Sequence, residues 1–148
     1  QAARSAAVTH DHPEGIKGAQ AVALAVLLGR HGTSKTAVAE RLRRDFGYRA
    51  EPELAQRRAR PGFDVTCQGT LPAALAALLE ADTVEQAIRN AVSLGGDADT
   101  TACIAGAMAE ACFGGVPATL RDPVMARLDP PLRAEVRACL ERYPIPLP

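Results

Sequence analysis

The sequence lacks an excess of charge of either sign. It has 17 Lys plus Arg and 17 Asp plus Glu among 148 residues, so its formal net charge is zero. Proteins that bind nucleic acids or anionic membranes through bulk charge need a positive balance, which is missing here. The longest strongly apolar run, Ala21–Leu28, is far shorter than a membrane span requires. Bulk composition therefore gives no support for a nucleic-acid or membrane partner.

Paired cysteines are missing as well. The four cysteines, Cys67, Cys103, Cys112 and Cys139, form no C-x-x-C motif. Two of them lie in an apolar helical pattern, where a free thiol behaves as a small hydrophobic side chain. This distribution favours a reduced, cytoplasmic protein over a disulfide-linked scaffold.

Strand patterns are also missing, because the few β-branched residues do not alternate with polar ones. The chain has helical patterns almost throughout, and its length suffices for one domain with a hydrophobic core. Two segments, Gly15–Leu28 and Ala98–Phe113, are rich in Ala and nearly free of charge. A helix that is apolar all round is normally buried. We therefore predict one all-α domain over residues 1–148, built around Ala-rich central helices.

Capping residues predict the first helix boundaries. Thr33 or Ser34 can cap an amphipathic helix that reaches about Phe46. Residues 47–69 carry no periodic pattern and are predicted to be irregular. Thr70 is predicted to cap the next helix, with Pro72 in its first turn.

The later boundaries are read in the same way. Asp82 or Thr83 caps the following helix, and Gln86 would complete a capping box with Thr83. Two short helices, separated by the Asp-Pro-Pro at 129–131, are predicted near the end. Seven Arg fall between positions 41 and 60. That stretch is either a solvated face or a contact for a phosphate or polymer, and both interpretations stay open.

The turn before the second Ala-rich segment holds two carboxylates. Its sequence, GGDADTT, places Gly95 and Gly96 directly before Asp97 and Asp99. In one interpretation, one Asp caps the helix, whose first N–H groups are unpaired, and the other is solvated. In the other, both carboxylates and the Thr hydroxyls converge on a hard cation such as Mg²⁺, which prefers oxygen ligands. Glycines permit the backbone angles that such convergence needs.

A second polar cluster precedes the first Ala-rich segment. It consists of His10, Asp11, His12 and Glu14. An H-x-H pair can bind a transition metal, but such histidines also serve as helix caps or exposed loop residues. Cys67 could act as a nucleophile beside a His, although its surroundings in the sequence carry no nucleophile-elbow or cysteine-protease signature.

Three blocks in this order resemble the ADP-ribosylglycohydrolase family, which includes the dinitrogenase-reductase-activating glycohydrolases and their animal relatives. The blocks are THDHPEGIKGAQA, RPGFDVTCQGTLPAAL and AVSLGGDADTTACIAGAMAEACFGGVPATL. The resemblance implies an all-α bundle that holds two Mg²⁺ ions in a central cleft. It also implies hydrolysis of the bond between the distal ribose of ADP-ribose and a side chain, an acetyl group or a nucleobase.

The resemblance also implies roles for individual residues. In the family, the Asp-x-Asp-Thr/Ser block ligates metal, which implies Asp97, Asp99 and Thr100 as ligands, with Asp99 contacting both ions. The His of the Thr-His block lines the ADP-ribose cleft, which implies a substrate-binding role for His10. The catalytic acid or base stays unassigned.

The resemblance covers the carboxy-terminal portion of the family pattern. The amino-terminal GD and T-D-D blocks, which supply the other metal ligands, and the Gly/Ser-rich loop after them are not found in this sequence. We therefore expect only part of the metal shell here. The chain is then a fragment of a hydrolase, a subunit completed by a second chain or protomer, or a short form without activity. A short form would act as an ADP-ribose-binding module or as a helical interaction module with an apolar groove.

Overall fold

The computed structural model describes residues 1–50, 53–59 and 62–144. The described residues form helices without any strand, so the predicted all-α fold class is confirmed. The helices are α1 Ala2–Ala6, α2 Pro13–Arg30, α3 Lys35–Phe46, α4 Leu54–Arg58, α5 Cys67–Leu79, α6 Val84–Val92, α7 Ala98–Phe113, α8 Ala118–Arg127 and α9 Pro130–Arg142. None of the helices in these ranges combines the length and the apolarity that crossing a membrane would take.

The core lies between α2, α3, α5, α6 and α7 and consists largely of Leu and Ala side chains. The largest fully buried side chains include Leu42, Leu71, Leu75, Leu78 and Met108. Most of the other core positions are Ala, whose small side chains let helix backbones approach closely. The prediction of Ala-rich helices at the centre of the bundle is therefore confirmed.

A stripe of small residues lets α2 pack closely on its neighbours. Gly18, Ala21, Ala25 and Gly29 are its buried positions, spaced three or four residues apart, so they share one face. A Cβ added to Gly29 would lie 2.9 Å from the Cβ of Ala111 in α7. The contact between α2 and α7 therefore has no room for a larger side chain.

The expectation that the two Ala-rich helices are buried all round is wrong. Leu27 of α2 is 53% exposed, Ala23 is also exposed, and Cys103 of α7 is exposed. The neighbouring helices leave part of each helix uncovered, and in α2 Ala occurs at buried positions such as Ala21 as well as at the exposed Ala23. Composition alone could not distinguish the packed face from the open one.

Three of the core helices begin at the same end of the bundle. Gly18, near the start of α2, packs against Cys67 at the start of α5. The end of α2 meets the end of α7 at Gly29 and Ala111. The helices α3 and α6 run in the opposite direction, since Lys35 at the start of α3 donates to the carbonyl of Ala81, just after α5 ends. The starts of α2, α5 and α7 are thus brought together.

Two of the predicted caps are resolved to one residue each. Ser34, not Thr33, caps α3, because its Oγ accepts from the N–H of Ala37 at 3.3 Å. Thr83, not Asp82, caps α6, with its Oγ1 accepting from the N–H of Gln86 at 3.1 Å. The side chain of Gln86 reaches back to the N–H of Asp82 at 2.9 Å, so the capping box closes one residue earlier than expected.

The predicted cap at Thr70 is wrong. Helix α5 begins at Cys67, and the Oγ1 of Thr66 accepts from the N–H of Gly69 at 3.2 Å. Pro72 lies inside the helix and not in its first turn. The supposedly irregular stretch 47–69 also contains α4 and the first three residues of α5, apart from positions 51, 52, 60 and 61, which lie outside the described residues.

The last two helices have a looser attachment than the core. Neither α8 nor α9 contains a buried residue. Their predicted separation is confirmed, since Asp129 caps α9 by accepting from the N–H of Leu132 at 2.8 Å. Arg30 of α2 donates to the carbonyl oxygens of Tyr143 and Pro144 and so ties the end of α9 to the bundle.

Candidate functional site

A cleft of about 560 Å³ opens where α5 and α7 begin. One wall is α4, another is the loop at 62–65, and the rest comes from the first turns of α5 and α7. The polar and aromatic lining residues are Gln56, Arg57, Phe63, Asp64, Thr70, Asp97 and Thr101. The cleft thus combines a cation, two carboxylates, two hydroxyls, one amide and one aromatic ring.

The glycine turn before α7 forms one edge of this cleft. Gly95 and Gly96 have φ angles of +69° and +64°, in the left-handed region that favours glycine. A Cβ on Gly96 would lie only 2.6 Å from the carbonyl oxygen of Gly62. The second glycine therefore lets the loop at 62–65 lie directly against the turn that presents Asp97.

Asp97 occupies the N-cap position of α7 but does not use its carboxylate as a cap. Its backbone carbonyl accepts from the N–H of Thr101 at 3.1 Å and from the Oγ1 of Thr101 at 2.9 Å. Thr101 is buried, so the backbone of Asp97 is bonded to a side chain in the interior of the bundle. Asp97 is half-buried and lines the cleft, and its carboxylate makes no capping bond to α7.

Asp99 lies close to Asp97, on the exposed side of the first turn. Its Oδ1 accepts from the N–H of Thr100 at 3.0 Å. The pKa of Asp99 is lowered from its usual range, first because its carboxyl shares a hydrogen bond with the carboxyl of Asp97 and then because of backbone N–H groups. The two side chains therefore converge, and Thr100 lies exposed beside them.

The carboxylate of Asp64, in the loop before α5, is bonded to Thr66, the N-cap residue of that helix. The Oδ1 of Asp64 accepts from the N–H of Thr66 at 2.8 Å and from its Oγ1 at 2.7 Å. These bonds lower the pKa of Asp64. A Cβ on Gly69 would lie 2.1 Å from the Oδ2 of Asp64, so this carboxylate is packed against α5.

His10 and His12 have different surroundings. His12 is the N-cap of α2, and its Nδ1 accepts from the N–H of Glu14 at 3.2 Å. His10 is exposed, and its Nδ1 lies 2.8 Å from the Oγ1 of Thr9. His10 precedes α2 at the same end of the bundle as the cleft but does not line it. Its assignment to substrate binding stays a prediction.

Cys67 has a packing role in this structure. A Cβ on Gly18 would lie 2.7 Å from its Sγ, so the thiol fills the space beside α2. Next to it, Tyr48 is buried, and burial is the first reason why its pKa rises to about 12. The ammonium group of Lys17 lies 5.0 Å from the centre of the Tyr48 ring.

The Arg-rich stretch divides into two parts. On α3, Arg43 pairs with Glu40 at 2.6 Å and Arg41 pairs with Asp45, which is the pattern of a solvated face. On α4, Arg57 lines the cleft. No sequence pattern separated Arg57 from its neighbours, because α4 itself was not predicted.

The carboxylate pair at the start of α7 provides oxygen donors. The described residues contain no group of three or more His, Cys, Asp or Glu that could hold a metal ion. Asp97 and Asp99 bring two carboxylates together, and Thr100 adds a hydroxyl next to them. Oxygen donors of this kind suit Mg²⁺, which commonly binds one or two carboxylates and keeps several waters.

Comparison with known families identifies the chain. The family model described as ADP-ribosylglycohydrolase matches residues 1–144, and the chain belongs to this family. No curated protein and no solved structure gives a match. Family membership supports a glycohydrolase-type function in general and implies an ADP-ribosylated substrate as the kind of partner.

Proposed function

We propose that this member of the ADP-ribosylglycohydrolase family carries the metal-binding part of a Mg²⁺-dependent hydrolase that removes ADP-ribose from a modified side chain, nucleobase or small molecule. The observation that carries the proposal is how the side chain of Asp97 is placed and bonded. It holds the N-cap position, yet its carboxylate makes no capping bond and converges with that of Asp99 at the edge of a cleft. This favours the cation interpretation of the pair over the doubled cap.

Asp97, Asp99 and Thr100 are the residues that would hold metal. Their hard oxygen donors fit Mg²⁺, and the lowered pKa keeps Asp99 ionised at neutral pH. Two carboxylates and one hydroxyl are too few ligands for two ions. Further ligands would come from water and from another part of the protein, either upstream sequence or a second chain or protomer.

The residues of this chain would have separate roles in binding the metal and the substrate. Bound Mg²⁺ would polarise oxygen atoms of the substrate and lower the pKa of a bound water. Asp97 and Asp99 would place their carboxylates beside the ion at the start of α7. There the Oγ1 of Thr101 donates to the backbone carbonyl of Asp97 and holds that residue in place. His10, at the same end of the bundle, would help to position the ADP-ribosyl group. No residue of this chain is assigned as the catalytic acid or base.

The test is Mg²⁺-dependent release of ADP-ribose from an ADP-ribosylated substrate. We expect Asp97→Asn and Asp99→Asn each to lower turnover at least about 100-fold, because losing a direct ligand should exceed the loss from an outer-shell partner. Asp122→Asn is the matched control, since Asp122 is exposed on α8 and pairs with Arg121. Unchanged turnover in both site variants would overturn the proposal.

A second candidate is a non-catalytic module that binds ADP-ribose or a partner protein. The partial ligand set and the exposed apolar positions on α2, such as Leu27 at 53% exposure, favour it. Calorimetric titration of ADP-ribose with and without Mg²⁺ separates the two candidates. Binding that ignores both Mg²⁺ and the Asp97→Asn change, without product, would point to the module.

A further inference from the structure

Helix α9 carries an apolar stripe on the outside of the bundle. The stripe consists of Leu132, Val136, Cys139 and the C-cap residue Tyr143, which recur every three or four residues and so share one face. Leu132 is 51% exposed, Tyr143 is 57% exposed, and Cys139 is exposed as well. A helix normally packs its apolar face against another element. The stripe therefore has the character of a contact surface.

The attachments of α9 to its own chain lie beside the stripe and leave it open. Arg133 donates through Nη2 to the carbonyl of Leu128 at 2.6 Å and to that of Ala126 at 3.3 Å. Arg133 lies roughly a quarter turn from the centre of the stripe. At the other end of the helix, Arg30 donates to the backbone carbonyl of Tyr143 at 3.1 Å. These bonds hold the helix by one side and by its end.

Two charged residues flank the stripe on the side away from Arg133. They are Glu135 and Arg142, which lie seven residues apart and are both exposed. Neither has an opposite charge three or four residues away in the sequence, the spacing at which charges pair within a helix. Arg137 and Glu141, on the opposite face, do have that spacing. The charges beside the stripe are therefore arranged for a contact outside their own helix.

An antiparallel second copy of α9 matches both the stripe and these charges. With Val136 opposite Cys139 of the second copy, Leu132 falls opposite Tyr143, because the two helices run in opposite directions. In this register Glu135 of each copy lies beside Arg142 of the other, so two ion pairs flank the apolar seam, as in a coiled coil. A parallel pair would give Glu135 no opposite charge.

We infer that two copies of this chain associate through an antiparallel contact between their α9 helices in this register. The Nε of Arg142 donates to the Oη of Tyr143 at 3.1 Å, and a guanidinium carries four further N–H groups for the ion pair. The 13 residues of α9 span about 20 Å, so the contact is small and the association is weak and reversible. The inference does not depend on the proposed function, since α9 is tied to the end of α2 and does not line the cleft.

The test measures self-association of the 148-residue chain by sedimentation equilibrium over a wide range of micromolar concentrations. The average mass of the wild type should rise from 15.5 kDa toward twice that value as the concentration increases. The same experiment would be done with Glu135→Arg, with Arg142→Glu and with the variant that carries both changes. Arg137→Glu is the matched control, because it changes the net charge as Arg142→Glu does but lies on the opposite face. Circular dichroism establishes that each variant is folded.

We expect Glu135→Arg and Arg142→Glu each to weaken association about 10-fold or more, because either change turns both ion pairs into like-charge contacts. The double variant should recover the wild-type dissociation constant to within about threefold, since the opposite charges again face each other. Leu132→Gln, which leaves the net charge unchanged, should also weaken association, and Arg137→Glu should not. Raising the salt concentration should weaken the wild-type dimer, because exposed ion pairs are screened.

Three results would overturn the inference. The first is a wild-type chain that stays monomeric over the whole range, which would leave the stripe to a different partner. The second is a dimer that tolerates both single charge reversals, or one that the double reversal does not restore, since either excludes this register. The third is an equal loss in Arg137→Glu and Arg142→Glu, which would mean that net charge alone governs association.

Discussion

Helices α5 and α7 begin side by side in the same cleft, but their first turns are built in opposite ways. At α5, Thr66 caps the helix with its side chain, and Asp64 in turn holds Thr66. At α7, the N-cap residue Asp97 makes no side-chain cap, and the backbone is held by Thr101 from inside the helix. The carboxylate of Asp64 thus supports the cap of its helix, whereas the carboxylate of Asp97 makes no bond to the first turn of α7.

The largest expected effect on stability comes from a substitution that breaks the contact between the loop before α5 and the turn before α7. Gly96→Ala places a Cβ against the carbonyl oxygen of Gly62 and requires a left-handed φ of an ordinary residue. We expect a loss of about 2–4 kcal/mol in unfolding free energy from strain and overpacking together. Denaturant unfolding measures this loss.

The control is the adjacent glycine. Gly95 also has a positive φ, but a Cβ there would meet nothing within 4 Å. Gly95→Ala should therefore lose only about 1–2 kcal/mol, the cost of the backbone angle alone. Equal losses in the two variants would show that the close approach of the loop at 62–65 contributes nothing.

A smaller effect sharpens the difference between the two caps. Thr66→Ala removes a real cap and should lower the unfolding free energy by about 1 kcal/mol. Asp97→Ala removes no side-chain cap of α7, so its stability should stay within about 0.5 kcal/mol of the wild type. Thermal melts of both variants in the absence of divalent cations measure the pair. A larger loss in Asp97→Ala than in Thr66→Ala would make Asp97 a structural residue.

The smallest effect concerns acid stability. The folded pKa of Asp64 lies below its ordinary value of 3.8, because Thr66 bonds its ionised form. The stability that it contributes is therefore present above 3.8 and is lost as the pH falls through the folded pKa. Between about pH 5 and pH 2.5, the melting temperature of Asp64→Asn should fall less than that of the wild type. An identical drop in both would contradict the bonding of Asp64 to Thr66.

The sequence was sufficient for the fold class and for most of the helix boundaries. The bounds of α7, Ala98–Phe113, are those predicted, because two glycines stop the chain on one side and two more end it on the other. The cap at Thr66 was missed because Pro72 suggested a later start. Local patterns failed where a helix began inside a stretch without periodicity.

The candidate site was predictable only in part. The two carboxylates of Asp97 and Asp99 were visible as a pair, but the sequence left open whether the carboxylate of Asp97 caps its helix, and in the structure it does not. The wall at Arg57 comes from a five-residue helix whose place is set by tertiary contacts, such as the bond of the N–H of Leu54 to the Oε1 of Glu80. Such placement leaves no periodic trace in the sequence.

The parallel start of α2, α5 and α7 has a consequence for the order of folding. Helices α5, α6 and α7 follow one another through short connections and pack together, so their contacts close small loops. The contact of Gly29 with Ala111 instead closes a loop of about 80 residues, which costs more chain entropy. We expect pulsed hydrogen exchange to protect α5–α7 before α2, and simultaneous protection would contradict this order. The part of the cleft that α5 and α7 provide would then form before α2 packs onto the bundle.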